Sequence, residues 1–518
     1  NFVTKRAGPT PVTSVATSVN NHGAVDVHAD IGRRFSDDRM GLRLNAVAGT
    51  VKPGIDNVDG DRGLLSAAFD WRLSPTVQLR ADLEHYRKEV SEQAAIANPA
   101  AVGGRITLPD VPDNKRNLAG SWQRYDAQAT NALLRADIAM SDNWALTLET
   151  GRAETERDRR FSQLNNLNVA TGAGSLAIFF ANGQRYVNDN HRAEVTGRLE
   201  TAGVPHELTL GYTQNKREAY SGDSAPTVNV PQNLYNPVAI APITPAAFTP
   251  GTDSEIRDKG LYVFDRISLG ERWQVLAGLR AADYSNTSPT SRFTAEKTSP
   301  NLSVLYKLRP DTTLYASYLE GLEETGTAPA NRINSGEILP PAVNKQHEVG
   351  LKTRSIANML TQLSVFQIRR PLTTVDAGNR FVLGGETQYR GVEASASGEI
   401  GRNFSAIASL LLLAAETTEG GSANAGELGR QPENTPKRTL SLFGEYRLPQ
   451  VTGLALNAGL YHVGKRAVNN LNQAFVGAYT TFSVGARYTT RLQGNRNLTL
   501  QANLDNATDR DYWATAGN

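Results

Sequence analysis

The chain has 518 residues, of which 39% are hydrophobic, and no stretch approaches the roughly 20 apolar residues that a membrane-spanning helix requires. This excludes a helical membrane protein, and the length indicates either several domains or a large barrel or repeat array. The 54 Lys and Arg residues nearly balance the 52 Asp and Glu residues, and the chain has no basic run, so nucleic-acid binding is not expected. The absence of cysteine excludes disulfides and thiol chemistry.

Period-two alternation of apolar and polar residues recurs along the whole chain. It is clear in segments 77–84, 144–149, 207–212, 439–448 and 497–504, with Phe443 as an aromatic exception. Successive side chains of a strand point to opposite faces of its sheet, so each segment predicts a strand with one apolar and one polar face.

Short and long connections alternate between these strands. Short turns are expected at 73–76, 140–143, 269–272, 308–311 and 400–403, whereas long polar or Gly/Pro-rich loops are expected at 91–121, 159–183, 221–252, 323–341 and 416–435. Short turns at one end and long loops at the other are typical of an outer-membrane barrel, with the turns in the periplasm and the loops outside the cell.

The composition of the two faces favours the same architecture. The apolar faces carry aromatic residues near strand ends, as in a girdle at a membrane interface, at Trp71, Trp144, Trp273 and Tyr446. The opposite faces carry frequent charges, at Arg80, Asp82, Glu84, Glu149, Arg280, Glu445 and Arg447. A wet lumen accepts such charges, whereas the interior of a soluble sandwich does not.

About 21 candidate strands lie between Pro11 and Leu504, and single-chain bacterial barrels normally have an even number. The sequence therefore predicts an all-β protein: a transmembrane, antiparallel, up-and-down β-barrel of about 22 strands with its last strand missing, in the outer membrane of a Gram-negative bacterium. No Gly-rich phosphate loop or Gly-x-Ser-x-Gly elbow occurs, so an enzyme is not expected.

Several segments resemble the TonB-dependent receptor family, and its siderophore-receptor branch in particular. The strongest similarity is Asn503-Leu504-Asp505-Asn506-Ala507-Thr508-Asp509-Arg510-Asp511-Tyr512-Trp513, near the end of the chain. Similar strand motifs occur in the same order as in the family at 314–322, 340–352, 389–393, 430–437 and 479–488, and Asn1-Phe2-Val3-Thr4-Lys5-Arg6 resembles the end of the family's plug domain.

The resemblance implies a barrel that encloses a plug and imports a ferric siderophore with energy from TonB. It divides the chain into a remnant of the plug at 1–9 and a barrel at 10–518, with the plug domain itself absent. The implied partners are a ferric siderophore, the TonB–ExbB–ExbD complex through the missing N-terminal segment, and outer-membrane lipid and lipopolysaccharide, with the receptor as a monomer. No cofactor is expected, because the siderophore carries the iron.

The long loops and the upper lumen are the expected binding region, because aromatic and arginine side chains suit a large, charged or aromatic chelate. The candidate residues are Trp122, Tyr125, Phe179, Phe180, Arg185, Tyr186, Tyr220, Tyr235 and Arg332. Each of them could instead belong to the interfacial girdle or to loop packing. The seven histidines are scattered, and no metal ligand is expected among them.

Two alternatives to siderophore uptake remain open from the sequence. One is a passive, porin-like channel, which a loop folded into the lumen and a lower strand count would favour. The other is a TonB-dependent receptor for another nutrient, such as haem, cobalamin or an oligosaccharide.

Overall fold

A computed structural model describes residues 4–357, 359–494 and 496–515. Within these residues the protein consists of β-strands and one short 3-10 helix, Ser422–Glu427, and no helix is long and apolar enough to cross a bilayer. In chain order the strands are β1 Val12–Val19, β2 Val25–Phe35, β3 Met40–Val51, β4 Gly60–Arg72, β5 Val77–Ser91, β6 Ala95–Ile96, β7 Arg124–Ala139, β8 Trp144–Asn165, β9 Ala173–Thr201, β10 Val204–Tyr220, β11 Asp223–Ser224, β12 Val228–Asn233, β13 Asp253–Leu269, β14 Trp273–Thr287, β15 Arg292–Arg309, β16 Thr312–Glu323, β17 Ala342–Thr353, β18 Leu360–Val375, β19 Phe381–Ile400, β20 Phe404–Glu419, β21 Arg438–Arg447, β22 Leu454–Val463, β23 Arg466–Ala467, β24 Phe475–Val476, β25 Tyr479–Leu492 and β26 Arg496–Leu504.

One sheet contains 24 of these strands, and β23 and β24 form a separate hairpin. Three members of the large sheet, β6, β11 and β12, are short strands in loops, so 21 long strands remain, in agreement with the number expected from the sequence. Each long strand pairs antiparallel with the next long strand along the chain. Among the described residues β1 pairs with β2 and β26 pairs with β25, and no ladder joins β1 to β26.

The apolar face of the sheet is exposed rather than packed against a second layer. Leu65, Leu83 and Leu134 expose 62%, 56% and 60% of their surface on one side, and the residues that alternate with them, such as Asp82 and Glu84, lie on the other. Similar exposed leucines continue on later strands, for example Leu261 and Leu500. An exposed apolar band of this extent is expected to meet lipid, which agrees with the face assignment made from the sequence.

Turns and loops lie at opposite ends of the strands, as expected. Short turns connect β4 to β5 at 73–76 and β7 to β8 at 140–143, whereas 92–123 and 221–252 connect β5 to β7 and β10 to β13 at the other end. We call these two ends the turn end and the loop end. The tryptophans Trp71, Trp144 and Trp273 all lie on the apolar face at the turn end, where an interfacial girdle is expected.

One predicted loop is wrong. Residues 159–183 do not form a long loop but continue as a tall hairpin, in which β8 runs to Asn165 and β9 starts at Ala173. The apolar residues of the hairpin keep the two-residue period, so that Leu164, Leu176 and Ile178 are fully buried on one face. Together with Leu118, Leu167, Phe180 and Leu234 they form the loop core, the larger buried apolar cluster of the described residues, which lies among the loops rather than on the wall of the sheet.

Candidate functional site

The polar face of β5, β7, β8 and β9 is built of regular cross-strand rows, which the antiparallel register fixes. One row near the loop end joins Lys88, Ala127, Arg157 and Gln184, and the row above it pairs Tyr125 with Arg159. Tyr186 lies one row below, opposite Thr155. The alternation that turns the leucines to one side therefore turns these cations and aromatic rings to the other.

These side chains gather around the ring of Tyr125. The Lys88 Nζ, Arg157 Cζ and Arg159 Cζ atoms lie 5.8, 6.0 and 5.7 Å from the centre of that ring. Arg157 also lies over Tyr186, at 5.0 Å, and Arg159 over Phe161, at 4.4 Å. We call Lys88, Tyr125, Arg157, Arg159, Phe161 and Tyr186 the cationic–aromatic cluster. Its distances are those at which a cation is attracted to the face of an aromatic ring.

Hydrogen bonds orient the central guanidinium of the cluster. Arg157 donates from Nε to the Gln184 Oε1 atom at 2.7 Å and from Nη2 to the Tyr186 hydroxyl at 3.0 Å. Arg159 forms an ion pair with Glu92. Among the described residues no carboxylate lies within ion-pair distance of Arg157 or Lys88, so the cluster holds more positive than negative charge.

A cavity of about 680 Å³ lies directly below the cluster on the same face. Its wall is rich in amides, from Asn131, Asn188, Asn190 and Asn215, and Asn188 is the next residue on this face after Tyr186. Each amide can both donate and accept hydrogen bonds. Asn131, for example, donates to Glu84 at 3.0 Å. The cavity therefore offers hydrogen-bonding amides beneath the cations, and Lys5, Asp82 and Glu84 also lie in its wall.

A ladder of ion pairs follows below the cavity, toward the turn end. Arg135 lies 2.7 Å from Asp137 and 3.5 Å from Glu149, and Arg192 lies 3.2 Å from Glu149 and 3.7 Å from Glu194. Each of these arginines has carboxylate partners on its own or a neighbouring strand. From the loop end to the turn end the polar face thus passes from unpaired cations through amides to balanced charges.

The structure divides the nine residues that the sequence nominated for binding. Tyr125 and Tyr186 belong to the cationic–aromatic cluster, and Phe179 stacks on its member Phe161 with ring centres 5.0 Å apart. Arg185 lies on the opposite, outward face, where it pairs with Glu154 at 2.7 Å.

The remaining nominated residues have partners within the loops. Phe180 is 3% exposed in the loop core, against which Trp122 and Tyr235 pack, and Arg332 donates to the Asn379 Oδ1 atom at 2.8 Å. Tyr220 donates to Asp223, and this hydrogen bond, together with one from the Gly251 N–H, lowers the pKa of the Asp223 carboxyl. The binding role of all nine stays a prediction.

Sequence reasoning missed Lys88, Arg157, Arg159 and Phe161. The sequence does contain a signal for three of them. Arg157, Arg159 and Phe161 stand at every second position, so they share one face of β8, because this strand continues past Arg159. Placing that segment in a loop concealed the pattern. In the described part of the chain, no group of three or more His, Asp or Glu residues is arranged to hold a metal ion.

Comparison with known proteins places this architecture in a family. The sequence model of the TonB dependent receptor-like β-barrel family matches residues 57–507, which is most of the chain. The chain belongs to this family. The family consists of receptors of the Gram-negative outer membrane, and this receptor is therefore an outer-membrane protein.

Individual relatives agree with this assignment. The receptor is 27% identical to the ferrichrome receptor FcuA of Yersinia enterocolitica over 99% of this chain and 69% of the relative, and 23% identical to the metal-pseudopaline receptor CntO of Pseudomonas aeruginosa over 92% of this chain and 68% of the relative. Its fold matches the crystal structure of BauA, the ferric preacinetobactin receptor from Acinetobacter baumannii, with a TM-score of 0.87 and 24% identity over 99% of this chain and 78% of that one.

Proposed function

We propose that this receptor imports a ferric siderophore across the outer membrane with energy from TonB, and that the loops and the upper lumen bind the substrate. The observation that carries the proposal is the cationic–aromatic cluster above an amide-lined cavity on the polar face of a TonB-dependent receptor sheet. Relatives named as receptors for ferrichrome and for ferric preacinetobactin support it.

The cluster suits capture of a chelate from outside the cell. It lies at the loop end, and the residues on the outward face at the same level, such as Arg87 and Glu156, are charged, so this level is above the apolar band. Aromatic rings offer apolar contact to a chelate, while the guanidinium and ammonium groups attract its charge. The amides of the cavity below can then hold the polar groups of a chelate that has entered.

We further propose that the sheet closes into a barrel of about 22 strands around a plug, with the receptor acting as a monomer in contact with lipid and lipopolysaccharide and coupled to TonB–ExbB–ExbD. Contacts between distant loops support closure: the Ile106 N–H donates to the Gln473 carbonyl at 3.1 Å, and the Trp513 Nε1 atom donates to the Pro109 carbonyl at 3.3 Å. These contacts join the loop between β5 and β7 to segments near the other end of the chain.

The N-terminal segment is proposed to be the end of the plug. Residues 1–3 of the predicted remnant lie outside the described residues. Arg6 donates to the Phe69 carbonyl at 2.8 Å and pairs with Asp82, and Lys5 lies 3.5 Å from Asp30. The segment therefore rests on the polar face of β2–β5, which is where a chain leaving the lumen to enter β1 would lie.

The proposal is tested by iron uptake in cells. A deletion strain grown under iron limitation, and the same strain with the receptor restored, are supplied with individual siderophores labelled with radioactive iron. We expect at least one chelate to be accumulated only when both the receptor and TonB are present. Uptake of no chelate by the restored strain, or equal uptake without TonB, would contradict the proposal.

A second candidate is a receptor for a chelate of another metal, which the relative named as a metal-pseudopaline receptor favours. The same strains distinguish it when they are supplied with chelates of labelled nickel or zinc. Uptake of those metals without uptake of iron would replace the siderophore assignment.

A further inference from the structure

We infer that the substrate of this receptor is an anionic ferric chelate with aromatic ligand arms, of the tris-catecholate class, rather than a neutral tris-hydroxamate. This inference rests on the proposed function and narrows it to one chemical class. Its basis is the contrast between unpaired cations at the loop end of the polar face and paired cations further down the same strands.

The cations of the cluster are held together without enough carboxylates to neutralise them. Three positive side chains lie within about 6 Å of one ring centre, and only Arg159 has a carboxylate partner, Glu92. Like charges this close repel each other even when solvent screens them. An anion placed among them would remove the repulsion and gain charge-assisted hydrogen bonds.

In the ladder of ion pairs below the cavity, by contrast, carboxylates neutralise the cations of the same wall. Arg135 and Arg192 each lie within ion-pair distance of two carboxylates. Both belong to the same face and the same strands as the cluster, a few rows below it. The surplus of positive charge is therefore a property of the cluster and not of the whole wall.

The charge of a ferric chelate depends on its iron ligands. Catecholates lose two protons each, so three of them leave a ferric complex with a net negative charge, whereas three hydroxamates lose one proton each and give a neutral complex. Catecholate arms are also aromatic, and Tyr125, Phe161 and Tyr186 can pack against their rings. Ferric citrate shares the negative charge but lacks the rings, so the aromatic members of the cluster favour the catecholate.

The test measures binding of three ferric complexes labelled with radioactive iron to the purified full-length receptor: a synthetic tris-catecholate, citrate and a tris-hydroxamate. We expect the tris-catecholate to bind tightest and its affinity to fall as salt is raised, because screening weakens exposed charge interactions. Arg157→Gln and Lys88→Gln should each weaken tris-catecholate binding about tenfold while changing tris-hydroxamate binding little. Tyr125→Leu should weaken binding of the tris-catecholate more than binding of citrate.

Arg87→Gln is the matched control, because Arg87 is next to Lys88 on β5 but faces outward, where it forms an ion pair with Glu89, and its loss should leave all three affinities unchanged. Arg157→Lys keeps the positive charge at this position. Binding that is retained in Arg157→Lys but lost in Arg157→Gln attributes the loss to the charge and not to a folding defect. Tightest binding of the tris-hydroxamate or of citrate, or unchanged tris-catecholate binding in folded Arg157→Gln, would overturn the inference while leaving siderophore import intact. Failure of all ferric complexes to bind would instead contradict the proposed function.

Discussion

Replacing Leu134 with arginine should destabilise the receptor in a membrane, whereas the same change at its neighbour Leu133 should not. Leu134 exposes 60% of its surface on the apolar face, and Leu133 lines the polar cavity on the other. A leucine this exposed presents on the order of 100 Å² of apolar surface to lipid, about 2.5 kcal/mol at roughly 25 cal/mol per Å². Arginine substitutions on the lipid face of barrels cost about 2–4 kcal/mol at the midplane and less toward the interfaces. Leu134 lies opposite Thr150 of β8, in the part of the apolar band nearer the loop end. We therefore expect the free energy of unfolding to fall by about 2 kcal/mol.

The assay is the free energy of unfolding by urea in lipid vesicles, together with the amount of folded receptor assembled in the outer membrane. Leu134→Arg should shift the urea midpoint downward and reduce assembly, and Leu133→Arg should remain close to the unmodified protein, because water on the polar face solvates the new charge. Equal losses for both variants, or a larger loss for Leu133→Arg, would refute the assignment of the two faces.

Three further outcomes are expected. Arg466 is 6% exposed and donates from Nη2 to the Trp513 carbonyl at 2.9 Å, so Arg466→Met should release segment 511–515, seen as faster hydrogen exchange there; unchanged exchange would contradict this role. Phe180→Ala should cost the loop core about 3–5 kcal/mol and open loop 92–123 to proteases, and resistance equal to the unmodified protein would show that the ring is not a packing residue. The Tyr220 hydroxyl lowers the pKa of the Asp223 carboxyl, so this carboxyl stabilises loop 221–252 at pH values above its unfolded pKa of about 3.9. The stabilisation is lost as the pH falls through the lower pKa of the folded state. Asp223→Asn should therefore remove the acid dependence of hydrogen exchange in the loop.

The fold was largely predictable because its main signal is local. Alternation along one strand decides which residues face lipid, so the opposite placement of Leu83 and of Asp82 and Glu84 follows from their order in the sequence. Turn composition likewise placed the short connections at 73–76 and 140–143. The hairpin within 159–183 was missed because its polar residues and glycines suggested a loop, although Leu176, Ile178 and Phe180 keep the period of a strand.

The candidate site was less predictable, because it depends on register between strands that are distant in sequence. Nothing local to Lys88 shows that it shares a row with Arg157, 69 residues later, or that both approach the Tyr125 ring. Aromatic content alone nominated Phe180 and Tyr235 equally with Tyr125, and only burial separates the packing residues from those on the polar face of the sheet. Lone cations on a barrel wall also look alike in sequence whether or not a carboxylate neutralises them.

Alternating exposure to lipid and water along β7 tests the central claim most directly, and the absence of cysteine makes the measurement simple. Single cysteines introduced from 126 to 138 are spin-labelled in the receptor reconstituted in vesicles, and collision with oxygen and with a water-soluble nickel chelate is measured. Labels at the even positions from 132 to 138 should collide more with oxygen, and labels at the odd positions should collide more with the nickel chelate. The preference of the even positions for oxygen should disappear toward Asp126. Equal access of the nickel chelate to both faces throughout would contradict a lipid-facing sheet and the transport function built on it.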